Sequence, residues 1–341
     1  MFRKQILTQN SHAPTLDIIA IGNAIVDVIA TTDDAFLEAQ GMAKGSMQLL
    51  DAAQANALYA KMGPGKEISG GSAANTIAGM AALGQRCGFI GQVADDQLGR
   101  VFTHDIRAIG VAFDTPVRAA EPATAQCLIL VTPDGQRTMN TFLGASQYLP
   151  STALDAAMIE SAAILYLEGY LWDPEEPRAA MRAAIDVARN AGRKVAFTLS
   201  DGFVIDRHGE DFRSLIDAGL IDILFANDSE VTALMGIADV ASAVTALSAK
   251  VATLVVTHGS DGAEAHSGGQ HERIAAEPID KVVDTTGAGD LFAAGFLSGQ
   301  AQGKSLRDSL TMGAVCAAEI ISHYGPRPEA DLKALVAARL G

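Results

Sequence analysis

From Ala162 to Thr257 the chain repeats one pattern: a short apolar run, a polar or glycine punctuation, then a longer stretch at helical spacing. The runs are Ile164 to Leu167, Lys194 to Leu199, Ile221 to Phe225 and Val251 to Thr257. Helical stretches such as Glu175 to Asn190 and Ser229 to Met235 separate them. Near-continuous apolar strands are buried on both faces, and crossover helices between parallel neighbours are what cover both faces. The pattern predicts an α/β fold with a central, mainly parallel sheet flanked by helices. Each run ends in residues with chemistry: Glu168-Gly169-Tyr170, Ser200-Asp201, Asn227-Asp228-Ser229-Glu230, and Thr257-His258-Gly259-Ser260-Asp261-Gly262. The carboxyl ends of parallel strands open on one crevice, where these residues are expected to meet. His258 has no orienting partner at a defined spacing and reads as a neighbour rather than a catalyst.

Upstream, Asp17 to Gly22 is a further apolar run ending in glycine, the expected first strand. Asn23 and Asp27 follow at its carboxyl end, placed either to meet a ligand or to make an Asx-type turn. A short acidic helix near Asp33 to Gln40 and a strand at Ser46 to Leu50 then interrupt the rhythm. Gly70-Gly71-Ser72-Ala73-Ala74-Asn75 opens a helix that ends at Gly84. The paired glycines let a ligand approach the backbone with Asn75 pointing the same way, or they simply start a packed helix. Arg86 to Val93 is another strand, and Asp95-Asp96 caps a helix reaching Gly110. Ala125 to Val131, the Pro133-Asp134-Gly135 turn and Arg137 to Phe142 form a hairpin with no helix between its strands. Such a hairpin does not belong to a parallel sheet. With Ser46 to Leu50 it is expected to make a small antiparallel flap over the face carrying Asp27 and the Gly70 turn. Arg137 is then a solvated hairpin charge, or a residue that swings onto a phosphate when the flap closes.

Asp284-Thr285-Thr286-Gly287-Ala288-Gly289-Asp290 precedes an apolar run and follows a short β excursion over Ala263 to Ile279. Gly287 to Asp290 is the first turn of a helix reaching Gln300, and a second helix closes the chain over Lys304 to Ser322. Free N–H groups and the helix dipole favour negative charge at such a start. A carboxylate in that turn is placed to take a proton from an attacking hydroxyl. The plainer alternative is a tight turn with a dipole-complementing Asp. A dinucleotide fingerprint needs glycine where Phe292 stands, and no G-x-x-x-x-G-K-[ST] loop occurs.

With 25 Lys and Arg against 40 Asp and Glu, the net charge is −15, which opposes binding to nucleic acid or an anionic membrane. Cys87, Cys127 and Cys316 have no metal-ligand spacing and read as free thiols of a cytoplasmic protein. Residues 1–11 are expected to be a loose tail. No apolar run approaches the roughly eighteen residues of a membrane span.

Two stretches, GGSAANTIAGMAALG over Gly70 to Gly84 and DTTGAGDLFAAGFL over Asp284 to Leu297, resemble the signatures of the ribokinase-like (PfkB) sugar and nucleoside kinases. The resemblance covers nearly the whole chain. It implies a catalytic core over 12–26, 51–110 and 145–341, and a discontinuous β lid over 27–50 and 111–144. It implies Asp290 as general base, an anion hole from the amides of Gly287, Ala288 and Gly289, and Arg137 on the lid. Asn227 and Glu230 match an N-x-x-E element that organises Mg2+, chiefly through water, and the phosphates. Thr257, Gly259 and Gly262 match the loop that holds ATP. The carbonyls of Asp284 and Thr286 match a monovalent-cation site, the place for K+ in many relatives. Asn23, Asp27, Gly70, Gly71 and Asn75 match positions that bind sugar hydroxyls.

Gly22 to Asp27, Glu168-Gly169-Tyr170, Phe197 to Ser200 and Arg137-Thr138-Met139 are similar to the adenosine kinase branch, where Tyr170 and Ile25 would flank the base. The expected activity is therefore ATP-dependent phosphorylation of the adenosine 5′-hydroxyl. The alternatives are a kinase for a free sugar or sugar acid (ribose, fructose, 2-keto-3-deoxygluconate) and a non-catalytic ligand-binding protein. A small-molecule substrate is expected, and a monomer and a lid-mediated homodimer both stay open.

Overall fold

The computed structural model describes residues 13–119 and 121–341, so the tail expected over 1–11 lies outside the described residues. In chain order, β1 (Leu16–Ile21) is followed by β2 (Ile25–Thr31), α1 (Asp34–Ala39), β3 (Met47–Leu49), α2 (Ala52–Tyr59) and β4 (Gly65–Gly70). Then come α3 (Ser72–Ala82), β5 (Cys87–Ile90), α4 (Gln97–Ala108), and the hairpin β6 (Ala125–Val131) and β7 (Arg137–Phe142). The regular alternation runs through α5 (Ala156–Ser161), β8 (Ala162–Glu168), α6 (Glu175–Asn190), β9 (Lys194–Thr198), α7 (Gly202–Asp217) and β10 (Ile223–Asn227). It continues with α8 (Asp228–Met235), α9 (Val240–Ser248) and β11 (Thr253–Thr257), followed by the hairpin β12 (Ala263–Ser267) and β13 (Gln270–Ile274). Helices α10 (Ala288–Ala301), α11 (Leu306–Ile320) and α12 (Leu332–Leu340) close the chain.

Many helix starts share one local cause. Asp33, Asp51, Asp96, Asp155, Asp201, Asp239 and Asp331 each accept a hydrogen bond from a first-turn N–H. Part of the acidic surplus is thus helix punctuation.

The large sheet has the order β13-β12-β11-β10-β9-β8-β1-β5, parallel from β11 to β5 with an antiparallel hairpin at one edge. Its strands bury alternate residues into two separate layers. Ile18, Tyr166, Phe225 and Val255 pack toward α3, α10, α11 and α12. Ile19, Leu165, Leu224 and Val256 pack toward α6, α7, α8 and α9. Full burial on both faces is why these strands are apolar without interruption.

The second sheet has the order β3-β7-β6-β2-β4 and is mixed rather than antiparallel, because β2 pairs parallel with β6 and β3 parallel with β7. One face packs Val28, Leu128 and Leu130 against Leu37 of α1 and Leu58 of α2. The other carries Cys127, Ile129, Val131, Ile25 and Met139.

The elements differ from expectation in four places. Ile25 and Val26 belong to a strand of the second sheet, and so do residues 65–70, which were expected in the core. Val111 to Arg118, expected in the flap, instead runs along the large sheet's edge, where Ala112 bridges Gly88 and Arg118 bridges Ala94. Phe113 there packs against the rings of Phe89 and Phe102. The third closing helix, α12, was not foreseen; Leu332 and Val336, one turn apart, are its buried contacts. The three cysteines are buried free thiols, and no single helix among the described residues is long and apolar enough to cross a membrane.

Candidate active site

The carboxyl ends of β1, β8, β9, β10 and β11, the starts of α3 and α10, and one face of the second sheet enclose a cleft of about 570 Å³. Asn23, Ile25, Asp27, Gly71, Asn75 and Tyr170 line it. So do Asn227, Glu230, Thr257, Thr286, Gly287, Ala288, Gly289 and Asp290. Gly70, Arg137, Gly259, Gly262 and Asp284 are not in its wall.

Asp290 sits in the first turn of α10, which begins abruptly because Gly287 adopts a left-handed conformation at φ 78° that favours glycine. No side chain caps this helix. The Ala288 N–H turns back to the Thr285 carbonyl at 3.2 Å, so one of the three expected anion-hole amides has an internal partner. A side chain at Gly289 would meet nothing within 4 Å, so no packing contact demands a glycine there. The open space above an uncapped helix start fits a phosphate.

The Asp290 carboxylate is held by α3. Ser72 Oγ donates to Oδ1 at 2.6 Å and Asn75 Nδ2 donates to Oδ2 at 3.0 Å, the three-residue spacing putting both donors on one helix face. Burial raises the carboxyl to about 6, opposed by those two hydrogen bonds and by the charge of Arg327. Near neutral pH the group is mostly ionised yet basic enough to accept a proton.

The glycine pair ahead of α3 solves a crowding problem. A Cβ on Gly71, at φ 100°, would stand 2.2 Å from the Asn23 carbonyl oxygen, and one on Gly70 would stand 2.5 Å from Asp27 Oδ2. Asp27 is buried beside them, and burial raises its carboxyl to about 7, with Arg327 and Arg137 pulling down and Asp284 and Asp290 pushing up.

Three residues to which sequence reasoning gave no role complete this region. Glu168, fully buried at the end of β8, accepts hydrogen bonds from Asn23 N at 2.8 Å, Asn23 Nδ2 at 2.6 Å and Ala73 N at 2.7 Å. It ties the exit of β1 to the start of α3, and burial raises it to about 7. Arg327 donates to the Ser69 carbonyl at 2.9 Å and the Ala74 carbonyl at 2.6 Å, bracketing the glycine pair. Burial lowers it to about 10. Ser72 is the third. The end of a buried parallel strand had already placed Glu168 at the crevice, without showing what it holds; Arg327 left no local signal.

Arg137, the first residue of β7, is not a solvated hairpin charge. Its Nη1 lies 2.8 Å from Asp284 Oδ2, and both side chains are buried. The guanidinium also stacks over Tyr324, 5.4 Å from the ring centroid. The contact with Asp284 is electrostatic, since no guanidinium nitrogen reaches hydrogen-bond geometry with a described residue. The second sheet is thereby coupled to the loop that leads into α10. Asp284 also accepts from Thr286 N at 3.1 Å and Gly325 N at 3.4 Å.

At the other end of the cleft, Asn227 and Glu230 form a reciprocal capping box on α8. Both Glu230 oxygens accept from Asn227, from its N–H at 3.1 Å and from its Nδ2 at 2.8 Å. Burial lifts this carboxyl to about 7. A carboxylate so engaged fits a metal ion through water better than by direct ligation. Thr257 ends β11, and His258 after it contacts Asp228, the orienting partner that spacing did not show. Gly262 has a packing reason of its own, since a Cβ there would lie 2.0 Å from the Ile274 carbonyl oxygen.

The profile described as pfkB family carbohydrate kinase matches residues 16–332. The solved structure of adenosine kinase from Sinorhizobium meliloti is 45% identical, with TM-score 0.88, over 95% of this chain and 99% of that one. A probable sugar kinase protein from Rhizobium etli CFN 42 is 43% identical, with TM-score 0.89, over 96% of this chain and 98% of that one. A fructokinase from Klebsiella pneumoniae is 30% identical over 239 residues, 69% of this chain and 78% of that protein.

Proposed function

Because the chain belongs to the pfkB family of carbohydrate kinases, ATP-dependent phosphotransferases acting on hydroxyl acceptors, we propose that its acceptor is the 5′-hydroxyl of adenosine. The observation that carries this reading is the apolar part of the cleft wall. Ile25, Ile129, Met139 and Leu143 come from the second sheet and its exit, Tyr170 and Phe203 from the large domain, with their two rings 6.3 Å apart. A purine can cover such surfaces with its faces, whereas a free sugar would leave hydroxyls unpaired against carbon. The likeness to the S. meliloti adenosine kinase supports the same acceptor.

ATP with Mg2+, when bound, supplies the phosphoryl group and neutralises its charge. Asp290 takes the proton of the attacking hydroxyl, and the uncapped start of α10, through Gly287, Ala288 and Gly289, stabilises the negative charge that develops. Asn23, Asp27 and Asn75 hold the ribose hydroxyls above the Gly70-Gly71 turn. Asn227 and Glu230 orient the metal's water shell, and Thr257, Gly259 and Gly262 shape the nucleotide loop. The second sheet acts as a lid, with Arg137 as its charged tie to the phosphate loop. A K+ ion at the carbonyls of Asp284 and Thr286 belongs to the same reading.

The polar groups Asn23, Asp27, Ser72 and Asn75 suit any polyol, and with the fructokinase relative they favour a second reading, a kinase for a free sugar or sugar acid. Initial rates of ATP consumption with adenosine, other nucleosides, ribose, fructose and 2-keto-3-deoxygluconate separate the two. The highest kcat/KM is expected for adenosine; a higher value for a free sugar overturns the assignment.

A further inference from the structure

The outer hairpin of the large sheet carries metal-binding side chains that phosphoryl transfer does not use. His266 on β12 stands directly opposite His271 on β13, and Glu264 precedes His266 by two residues on the same face. The two imidazoles stack with centroids 4.2 Å apart and planes 10° from parallel. Glu264 Oε2 lies 2.7 Å from His271 Nε2 and 3.7 Å from His266 Nε2. One ligand atom from each of the three residues lies within 4.8 Å of the others. His258 Nε2 approaches the remaining oxygen of the same carboxylate, Glu264 Oε1, at 3.4 Å. The Nε2 atoms of His258 and His266 are both buried without a hydrogen-bond partner among the described residues. Two imidazole nitrogens withdrawn from water and left unpaired beside one carboxylate are unfavourable alone. A cation bound by His266 Nε2 removes the problem for that ring, while His258 faces the other oxygen of the same carboxylate.

We propose that Glu264, His266 and His271 bind a transition-metal dication of the Zn2+ class at this edge of the sheet. Two imidazole nitrogens and one carboxylate oxygen are the donors that Zn2+ and its neighbours prefer, whereas Mg2+ and Ca2+ prefer oxygen alone. The two carboxylate-imidazole separations bracket the roughly 3.3 Å expected between ligands about 2.0 Å from a tetrahedral ion. His271 is 51% exposed in its side chain, so an ion can enter from solvent and keep water in its last position. The bound ion clips the edge strand β13 to β12 and, through Glu264 and His258, to the end of β11. The acidic balance of the chain, −15, favours capture of a dication.

The test is calorimetric titration of the full chain with ZnCl2 in saturating Mg2+, repeated for His271→Ala, Glu264→Gln and His104→Ala. Expected are one Zn2+ per chain in the wild type and a loss of affinity of at least about 10–100-fold in His271→Ala and Glu264→Gln, the size that outer partners of a metal site alone can carry. His104 lies outside the cluster and its substitution is expected to leave the isotherm unchanged. His271 is half-exposed, so its variant keeps the fold, which circular dichroism verifies; it decides the matter even if Glu264→Gln does not fold. Zn2+ is also expected to raise the melting temperature of the wild type and not of His271→Ala. No binding by the wild type, an unchanged isotherm in His271→Ala, or equal weakening by His104→Ala overturns the site.

Discussion

Asp290→Asn separates the chemistry of the cleft from its architecture, because the substitution removes the proposed base while keeping the shape. In the wild type, Oδ1 accepts from Ser72 and Oδ2 from Asn75. With an amide at position 290, its oxygen can accept from Asn75 Nδ2 while its own NH2 donates to Ser72 Oγ, whose hydroxyl proton turns away. Both contacts survive, so the fold does as well. Turnover is expected to fall by about 10²–10⁴, the usual range for a general base. The carboxyl rises from 3.8 to about 6, so its ionisation is a net cost to the folded state. For an acid shifted upward, stability is fully present below its unfolded value and is lost as pH rises through the folded one. The shift of about two units corresponds to roughly 3 kcal/mol at pH 7, tempered to about 1–2 kcal/mol because the carboxyl opens onto the cleft. Asp290→Asn is thus expected to be more stable than the wild type at pH 7 and no more stable at pH 3. Its kcat/KM should also lose the part of the acid limb near pH 6 that Asp290 contributes; Glu168, Asp27 and Glu230 titrate nearby, so the comparison is between the two pH profiles. The assays are initial rates of ATP-dependent phosphorylation between pH 5 and 9, and urea denaturation at both pH values. Turnover within about tenfold of the wild type would refute the role of Asp290 as base. A variant less stable at neutral pH would refute the reasoning about its burial.

Arg137→Ala strands the buried Asp284 carboxylate and should cost about 3–5 kcal/mol in urea denaturation, with turnover reduced; an unchanged midpoint and rate would show that the ion pair carries nothing. Gly71→Ala forces a Cβ to 2.2 Å from the Asn23 carbonyl at a backbone angle that disfavours side chains. It should raise the acceptor KM and lower the melting temperature, and an unchanged KM would contradict the crowding described for the turn. Tyr170→Ala should raise the nucleoside KM roughly two- to tenfold, the equivalent of about 0.5–1.5 kcal/mol of aromatic contact, with the KM for ATP unmoved; equal changes in both would remove Tyr170 from the acceptor slot.

What was legible in the sequence was local. Strands β8 to β11 announced themselves because burial on both faces confines their polar residues almost entirely to the strand ends. The first turn of α10 was readable because backbone conformation and chemistry both demand particular residues within a few positions. β4 was missed because Gly65-Lys66-Glu67-Ile68-Ser69-Gly70 is an edge strand that pairs with β2 alone and therefore needs no apolar run. The parallel pairings of the second sheet were missed because the partners are far apart in the chain: α3, β5 and α4, which pack with the large sheet, intervene between β2 and β6 and between β3 and β7. Arg327 was out of reach altogether: its hydrogen bond to Ser69 spans 258 residues, and no pattern around Arg327 points to it. His258 shows the limit from the other side, since Asp228, its orienting partner, is supplied by a different strand end.

The separate packing of the second sheet bears on how such a protein can change over time. Asp290 and its two donors, Ser72 and Asn75, belong to α10 and α3 of the large domain, while Ile25, Ile129 and Met139 come from a sheet whose outer face has a small hydrophobic cluster of its own. Substitutions on the cleft face of that sheet can reshape what fits above Asp290 without touching its carboxylate or the layers beneath it. On the proposed reading, acceptor preference and phosphoryl chemistry are therefore separately heritable in this architecture, and selection can act on one while the other is held fixed.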